Sequence, residues 1–185
     1  FDLFLAANTG YVEQVVKAGA CDGTTQFRYA RGRLVIWVKG NTAAPPSLEA
    51  LREVRFKHIA IANPEHAPYG MAAREALTRV GVWSKVSERL VYGENVQQTL
   101  ELAQSGNADV AIVGLSLALG TSGGSWTPID ESSYTPIDQA LVVCNRGTNK
   151  AAAQKLAEFL RAPAGREILG KYGFTLPGEA RTSAP

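Results

Sequence analysis

Apolar residues along this chain fall into short runs separated by polar, glycine-rich or proline-rich breaks. The run at the start, Phe1 to Ala6, predicts a buried strand. Asn8 or Thr9 can cap a helix over Tyr11 to Ala18, with Val12, Val15 and Val16 on one face and Gly19 as its stop. Arg33 to Val38 is rich in β-branched and aromatic residues and predicts a second strand. Asn41 to Ser47 (NTAAPPS) is the clearest break in the first half, and Ser47 can cap a short helix from Leu48 to Val54.

From His58 to Ser116 the pattern becomes regular. Strands are predicted at 58–62, 88–92 and 109–115. Helices are predicted at 69–80, behind Pro68 and ended by Gly81, and at 96–104, capped by Glu94 or Asn95 and ended by Gly106. Strands alternating with helices imply a parallel sheet in an α/β layer architecture. Gly120 to Ser125 predicts a flexible loop and Trp126 to Ile129 an edge strand. Gln139 to Cys144 predicts a strand. Two helices follow, one ending at Arg161 and one opening at Pro163, and the tail after Gly178 is expected to be loose.

The two regular strand-to-helix turns repeat one physical device. Each helix start offers about four N–H groups without an intrahelical partner and roughly half a positive charge. In a parallel sheet both starts lie at the carboxyl ends of the strands. Neither turn carries Lys or Arg between Asn63 and Met71 or between Gly93 and Leu100. Two such ends can therefore hold an anion with uncharged donors, although well-capped helices of any α/β domain look the same.

Composition removes several function classes. In 185 residues, 19 Lys+Arg stand against 17 Asp+Glu, a net charge of +2 without the clustered basic excess of a nucleic-acid binder. No apolar run reaches the roughly 18 residues of a membrane span. Phe1 to Leu5 has no basic flank or cleavage site, so either the protein is cytosolic or this start is not that of the gene. Gly114 to Ala118 (GLSLA) nearly matches a hydrolase elbow. Ala118 replaces its second glycine, and both His58 and His66 precede Ser116, the wrong order for that fold, so no enzyme is expected. Gly120 to Gly124 lacks the Lys-Ser/Thr end of a phosphate loop. His66 beside Glu65 lacks further ligands at zinc spacing and reads as a solvated loop pair. Cys21 and Cys144 are 123 residues apart, which leaves both a disulfide and two unrelated thiols open.

Five segments together resemble the periplasmic molybdate-binding proteins of bacterial uptake transporters, of the type II periplasmic-binding-protein class. They are Asp2–Ala6 with Gly10–Val12; Ile59–Pro64 running into Ala67–Gly70 and Ala72 to Leu77; Tyr92–Val96; Gly106–Val110; and Lys171–Phe174. The resemblance implies a two-lobed α/β fold with parallel-type sheets, helices on both faces and two crossing segments. The first lobe would comprise 1–38 and 137–185 and the second 41–134, with hinge crossings near 39–41 and 134–137. The first lobe would be incomplete, because the family's opening strand–helix unit has no counterpart here.

The resemblance also implies the function: capture of molybdate, and of tungstate with it, between the lobes. Tyr69 and the backbone N–H of Val96 would contact oxyanion oxygens rather than the metal atom. No cofactor is implied. The implied partner is a membrane ABC permease, the location periplasmic, and the protein a monomer without nucleic acid. Two alternatives stay open: the ligand-sensing domain of a transcription factor with the same fold, and a binder of another oxyanion such as sulfate.

Overall fold

The computed structural model describes residues 1–178. The elements run β1 (Leu3–Ala6), α1 (Thr9–Lys17), β2 (Phe27–Gly32), β3 (Leu34–Lys39), β4 (Ile59–Ala62), α2 (Pro68–Arg79), α3 (Trp83–Val86), β5 (Leu90–Gly93), α4 (Val96–Ser105), β6 (Val110–Gly114), α5 (Leu115–Leu119), β7 (Gly124–Pro128), β8 (Ile137–Val143), α6 (Lys150–Arg161) and α7 (Pro163–Lys171). The expected tail beyond Gly178 lies outside the described residues.

The chain divides into two compact units. Among the described residues, one consists of Phe1–Gly32 and 137–178, the other of Arg33–Pro136. The first division therefore falls between Gly32 and Arg33, not at 39–41. The cause is strand pairing: β3 is antiparallel to β6 and to β7 and so belongs to the second unit. The proline-rich break after Asn41 is instead a loop within that unit.

The first unit has a three-stranded sheet of order β1-β8-β2. Both pairings are antiparallel, which corrects the parallel sheet expected for this lobe. β1 is half-buried rather than buried; Leu5 is 43% exposed. β2 has no strand signature in the sequence. Its Arg28 and Arg31 both pair with Asp138 on β8, at 3.0 and 2.9 Å. Val12 of α1 packs with Cys21, Ala140, Val142 and Cys144 in a small core. Cys21 and Cys144 form a disulfide. Backbone bonds flank it, Asp22 N–H to Val143 O at 2.8 Å and Asn145 N–H to Ala20 O at 2.9 Å.

The second unit has a five-stranded mixed sheet of order β5-β4-β6-β3-β7. β4 runs parallel to both β5 and β6. The central strands are apolar throughout because both faces are covered. On one face Val35, Trp37, Ala60, Ala111 and Val113 pack with Leu100 and Ala103 of α4. α2 lies on the other face, where Ile36, Ile61 and Ile112 are also buried. Burial of a side chain such as Leu100 contributes about 2 kcal/mol, so α4 is held by its apolar stripe more than by propensity.

Residues 48–57 form no regular helix beyond a 3₁₀ segment, Leu48–Arg52, shorter than the helix expected to Val54. The Arg89 guanidinium ties this stretch down by donating to the carbonyls of Leu51, Glu53 and Phe56. The short helices α3 and α5 and the pairing of Gly124–Ser125 into β7 also had no sequence signal.

Buried Tyr134 accepts a hydrogen bond from Leu34 N–H on its hydroxyl at 3.1 Å. Burial pushes this phenol up to about 12, from an ordinary 10.0. The folded state thus holds the proton more tightly than the unfolded one. The resulting stability is complete below the unfolded value and disappears as pH rises through the folded value. Denaturant midpoints measured against pH should fall across that alkaline window. In Tyr134→Phe the fall should be shallower, at a cost of about 1–2 kcal/mol at neutral pH, because Leu34 N–H loses its acceptor.

Candidate functional site

Both strand-to-helix turns belong to the second unit. β4 and β5 are adjacent and parallel, with Ala62 opposite Gly93, so their carboxyl ends sit side by side. α2 and α4 start there, on one edge of the sheet. Asn63 N–H donates to Gly93 O at 2.8 Å and joins the turns at their base.

The first turn is shaped by local chemistry. Asn63 Oδ1 accepts from Glu65 N–H at 3.0 Å, and Asn63 O accepts from Ala67 N–H at 2.9 Å. Pro68 opens α2 with its fixed φ, and the missing N–H costs nothing at that position. Tyr69 and Gly70 occupy the first turn, and Met71 N–H returns to Ala67 O at 3.0 Å. Gly70 has a specific reason to be glycine. A Cβ there would collide with the Ala62 carbonyl, so the helix start lies directly on the strand end.

The second turn is more tightly determined. Asn95 caps α4 through Oδ1, which accepts from Gln98 N–H at 2.9 Å. Asn95 O accepts from Thr99 N–H at 3.1 Å. The N–H groups of Val96 and Gln97 are left at the open end of the helix. The Val96 side chain packs against the core, so only its backbone faces the turn. Gly106, in the left-handed region at φ 84°, ends the helix. A Cβ on Gly93 would lie 2.7 Å from Thr99 N, so this strand end and helix start are also in close contact.

Tyr69 is buried, at 9% exposure. Its ring lies over the end of β6, where a Cβ on Gly114 would be 2.9 Å from Cε1 and 3.3 Å from Cζ. Gly114 therefore provides the space the ring occupies. We expect Gly114→Ala to fold but to displace the ring by a few tenths of an ångström, at a cost of about 1–3 kcal/mol. A melting curve indistinguishable from wild type would show that the ring has slack.

The peptide dipoles of the two helix starts share this edge with the side chains of Glu65, His66, Arg74 and Glu94. Glu65 pairs with Arg74 at 2.9 Å. His66 Nε2 meets the Glu94 carbonyl at 3.0 Å, because the parallel pairing of β4 with β5 brings the second turn alongside the first. Among the described residues there is no group of three His, Cys, Asp or Glu able to hold a metal ion. What this edge can do chemically is bind an anion with amide donors.

Sequence reasoning singled out Tyr69 and Val96, and both lie at these adjacent helix starts. It gave no role in the site to Gly70, Gly93 or Gly114, and it read His66 only as part of a solvated loop pair. The glycines were visible at strand–helix junctions, where close backbone approach is a common reason for glycine. Nothing in the sequence pointed from His66 to Glu94.

Comparison with known proteins gives consistent matches over nearly the whole chain. A family model described as bacterial extracellular solute-binding protein matches residues 1–175. The molybdate-binding protein ModA of Rhodobacter capsulatus is 36% identical over 174 residues, which is 94% of this chain and 69% of that protein. The protein of the same name from Azotobacter vinelandii is 34% identical over 179 residues, 95% of this chain and 71% of that one. Among solved structures, the Azotobacter vinelandii periplasmic molybdate-binding protein superposes with a TM-score of 0.84 at 28% identity, covering 96% of this chain and 79% of that chain.

Proposed function

The chain belongs to the bacterial extracellular solute-binding proteins, and from that premise we propose that it captures molybdate in the periplasm and delivers it to the membrane permease of an ABC transporter. Tungstate, an oxyanion of the same shape and charge, is the second ligand of this reading. The observation that carries it is the pairing of two helix starts without Lys or Arg on one sheet edge, in a chain 36% identical to a molybdate-binding protein. The relatives named above are binding proteins, and the reading involves no chemical step.

In this reading the N–H groups at Tyr69 and Val96 point at oxygens of the doubly negative anion. They replace part of its hydration shell with fixed dipoles. Such donors are already oriented before the ligand arrives, so little free energy goes into reorganisation. Cavity size, rather than net charge, then separates one tetrahedral oxyanion from another.

Calorimetric titration with molybdate, tungstate, sulfate and phosphate tests the proposal. Heat from molybdate and tungstate alone is the expected result. Equal binding of sulfate would move the assignment to a general oxyanion carrier, and heat from none of the four would leave only the fold.

A further inference from the structure

His66 and Glu94 are 28 residues apart, yet one hydrogen bond joins them across the two turns of the anion site. The acceptor is the Glu94 carbonyl oxygen, 3.0 Å from Nε2. A carbonyl only accepts, so Nε2 carries the hydrogen. The neutral Nε2–H tautomer and the imidazolium both meet that requirement. The Glu94 carboxylate lies farther off, at 3.6 Å, and both side chains are more than half exposed.

The value of this bond lies in which peptide it holds. Three peptide units precede the Val96 side of the site. The unit between Gly93 and Glu94 is tied at both ends: its carbonyl accepts from Asn63 N–H at 2.8 Å, and its N–H donates to Gln98 Oε1 at 2.6 Å. The unit between Asn95 and Val96 carries the donor N–H itself, and its carbonyl accepts from Thr99 N–H at 3.1 Å. The unit between them, Glu94 to Asn95, is tied through its carbonyl by His66.

The backbone of His66 is anchored in the first turn. Its own N–H donates to Asn63 O at 3.3 Å, and the next residue, Ala67, donates to the same oxygen at 2.9 Å. A shift of one turn is therefore felt by the other.

We propose that His66 is a positioning residue for the anion site: by bonding the Glu94 carbonyl it fixes the orientation of the peptides leading to the Val96 and Gln97 N–H groups relative to the helix start at Tyr69. This rests on the oxyanion reading above. His66 does not touch the anion; it acts through the Glu94–Asn95 peptide. The bond is half exposed, so its effect is moderate, roughly threefold to tenfold in affinity.

The test uses His66→Ala and His66→Gln. Glutamine keeps an N–H donor near the position of Nε2, whereas alanine removes it. Molybdate affinity is measured by calorimetry. Amide hydrogen exchange at residues 94–97 is followed in the protein without molybdate, so the second readout does not depend on the ligand assignment. We expect His66→Ala to bind roughly threefold to tenfold more weakly, with faster exchange at 94–97 and a melting temperature within about 2 °C of wild type. His66→Gln should restore most of the affinity and the protection. Unchanged exchange in His66→Ala, or equal losses in both variants, would overturn the proposal. A wild-type protein that takes up no molybdate would defeat the ligand reading, while the exchange measurement would still decide the role of His66.

Discussion

Val96→Pro should bind molybdate about 10- to 150-fold more weakly than wild type while retaining its fold. The estimate is the loss of one hydrogen bond to a charged group, roughly 1.5–3 kcal/mol. The substitution suits this position. Val96 is the first residue of α4, where proline is well tolerated. Asn95 before it is already extended, at φ −149° and ψ 174°, as a residue preceding proline should be. The Asn95 cap to Gln98 does not involve the lost N–H. Val96→Ala is the companion measurement: it keeps the N–H and loses only part of the packing against the core, so its affinity should stay near wild type. If proline and alanine bind alike, the second turn is not a ligand.

The second large effect concerns the disulfide. Cys21 and Cys144 close a loop across a separation of 123 residues. The chain-entropy argument assigns such a cross-link about 4–5 kcal/mol, acting mainly on the unfolded state. Its location gives the prediction a specific form. The bond joins the two separate stretches of chain that make up the first unit, whereas residues 33–136 are continuous. All three tryptophans, Trp37, Trp83 and Trp126, belong to the continuous unit. In the double variant Cys21→Ser/Cys144→Ser, far-UV circular dichroism should show an early transition in urea, while tryptophan fluorescence should unfold near its original midpoint. Coincident loss of both signals would mean that the units do not unfold independently. Such a bond persists in oxidising compartments, which accords with the proposed periplasmic location.

How much of this was legible in the sequence depended on the range of the interaction. The Asn95 cap, the Gly106 stop and Pro68 at the start of α2 are local signals, and each fixes a helix end where it was expected. Tyr69 and Val96 followed from those helix starts together with the resemblance. The first division of the chain was misplaced because NTAAPPS is conspicuous and Gly32-Arg33 is not. Which unit owns β3 depends on its pairing with β6 and β7, and no window around residue 34 contains that information. The same holds for β2, whose arginines make sense only beside Asp138. It holds too for the cysteines, whose spacing was equally compatible with pairing and with free thiols. The glycines at 70, 93 and 114 were visible as residues, but their purpose appears only once a helix lies against each strand end.

The absence of Lys and Arg from both turns has a consequence for the environment in which such a site works. Peptide dipoles fade within about a turn of their helix and gather no diffuse atmosphere of counterions. What salt screens here is confined to about a turn of each helix start and to the exposed carboxylates of Glu65 and Glu94 in the same turns. Molybdate affinity measured against salt should therefore change more gently than it would for a site built from several lysines or arginines.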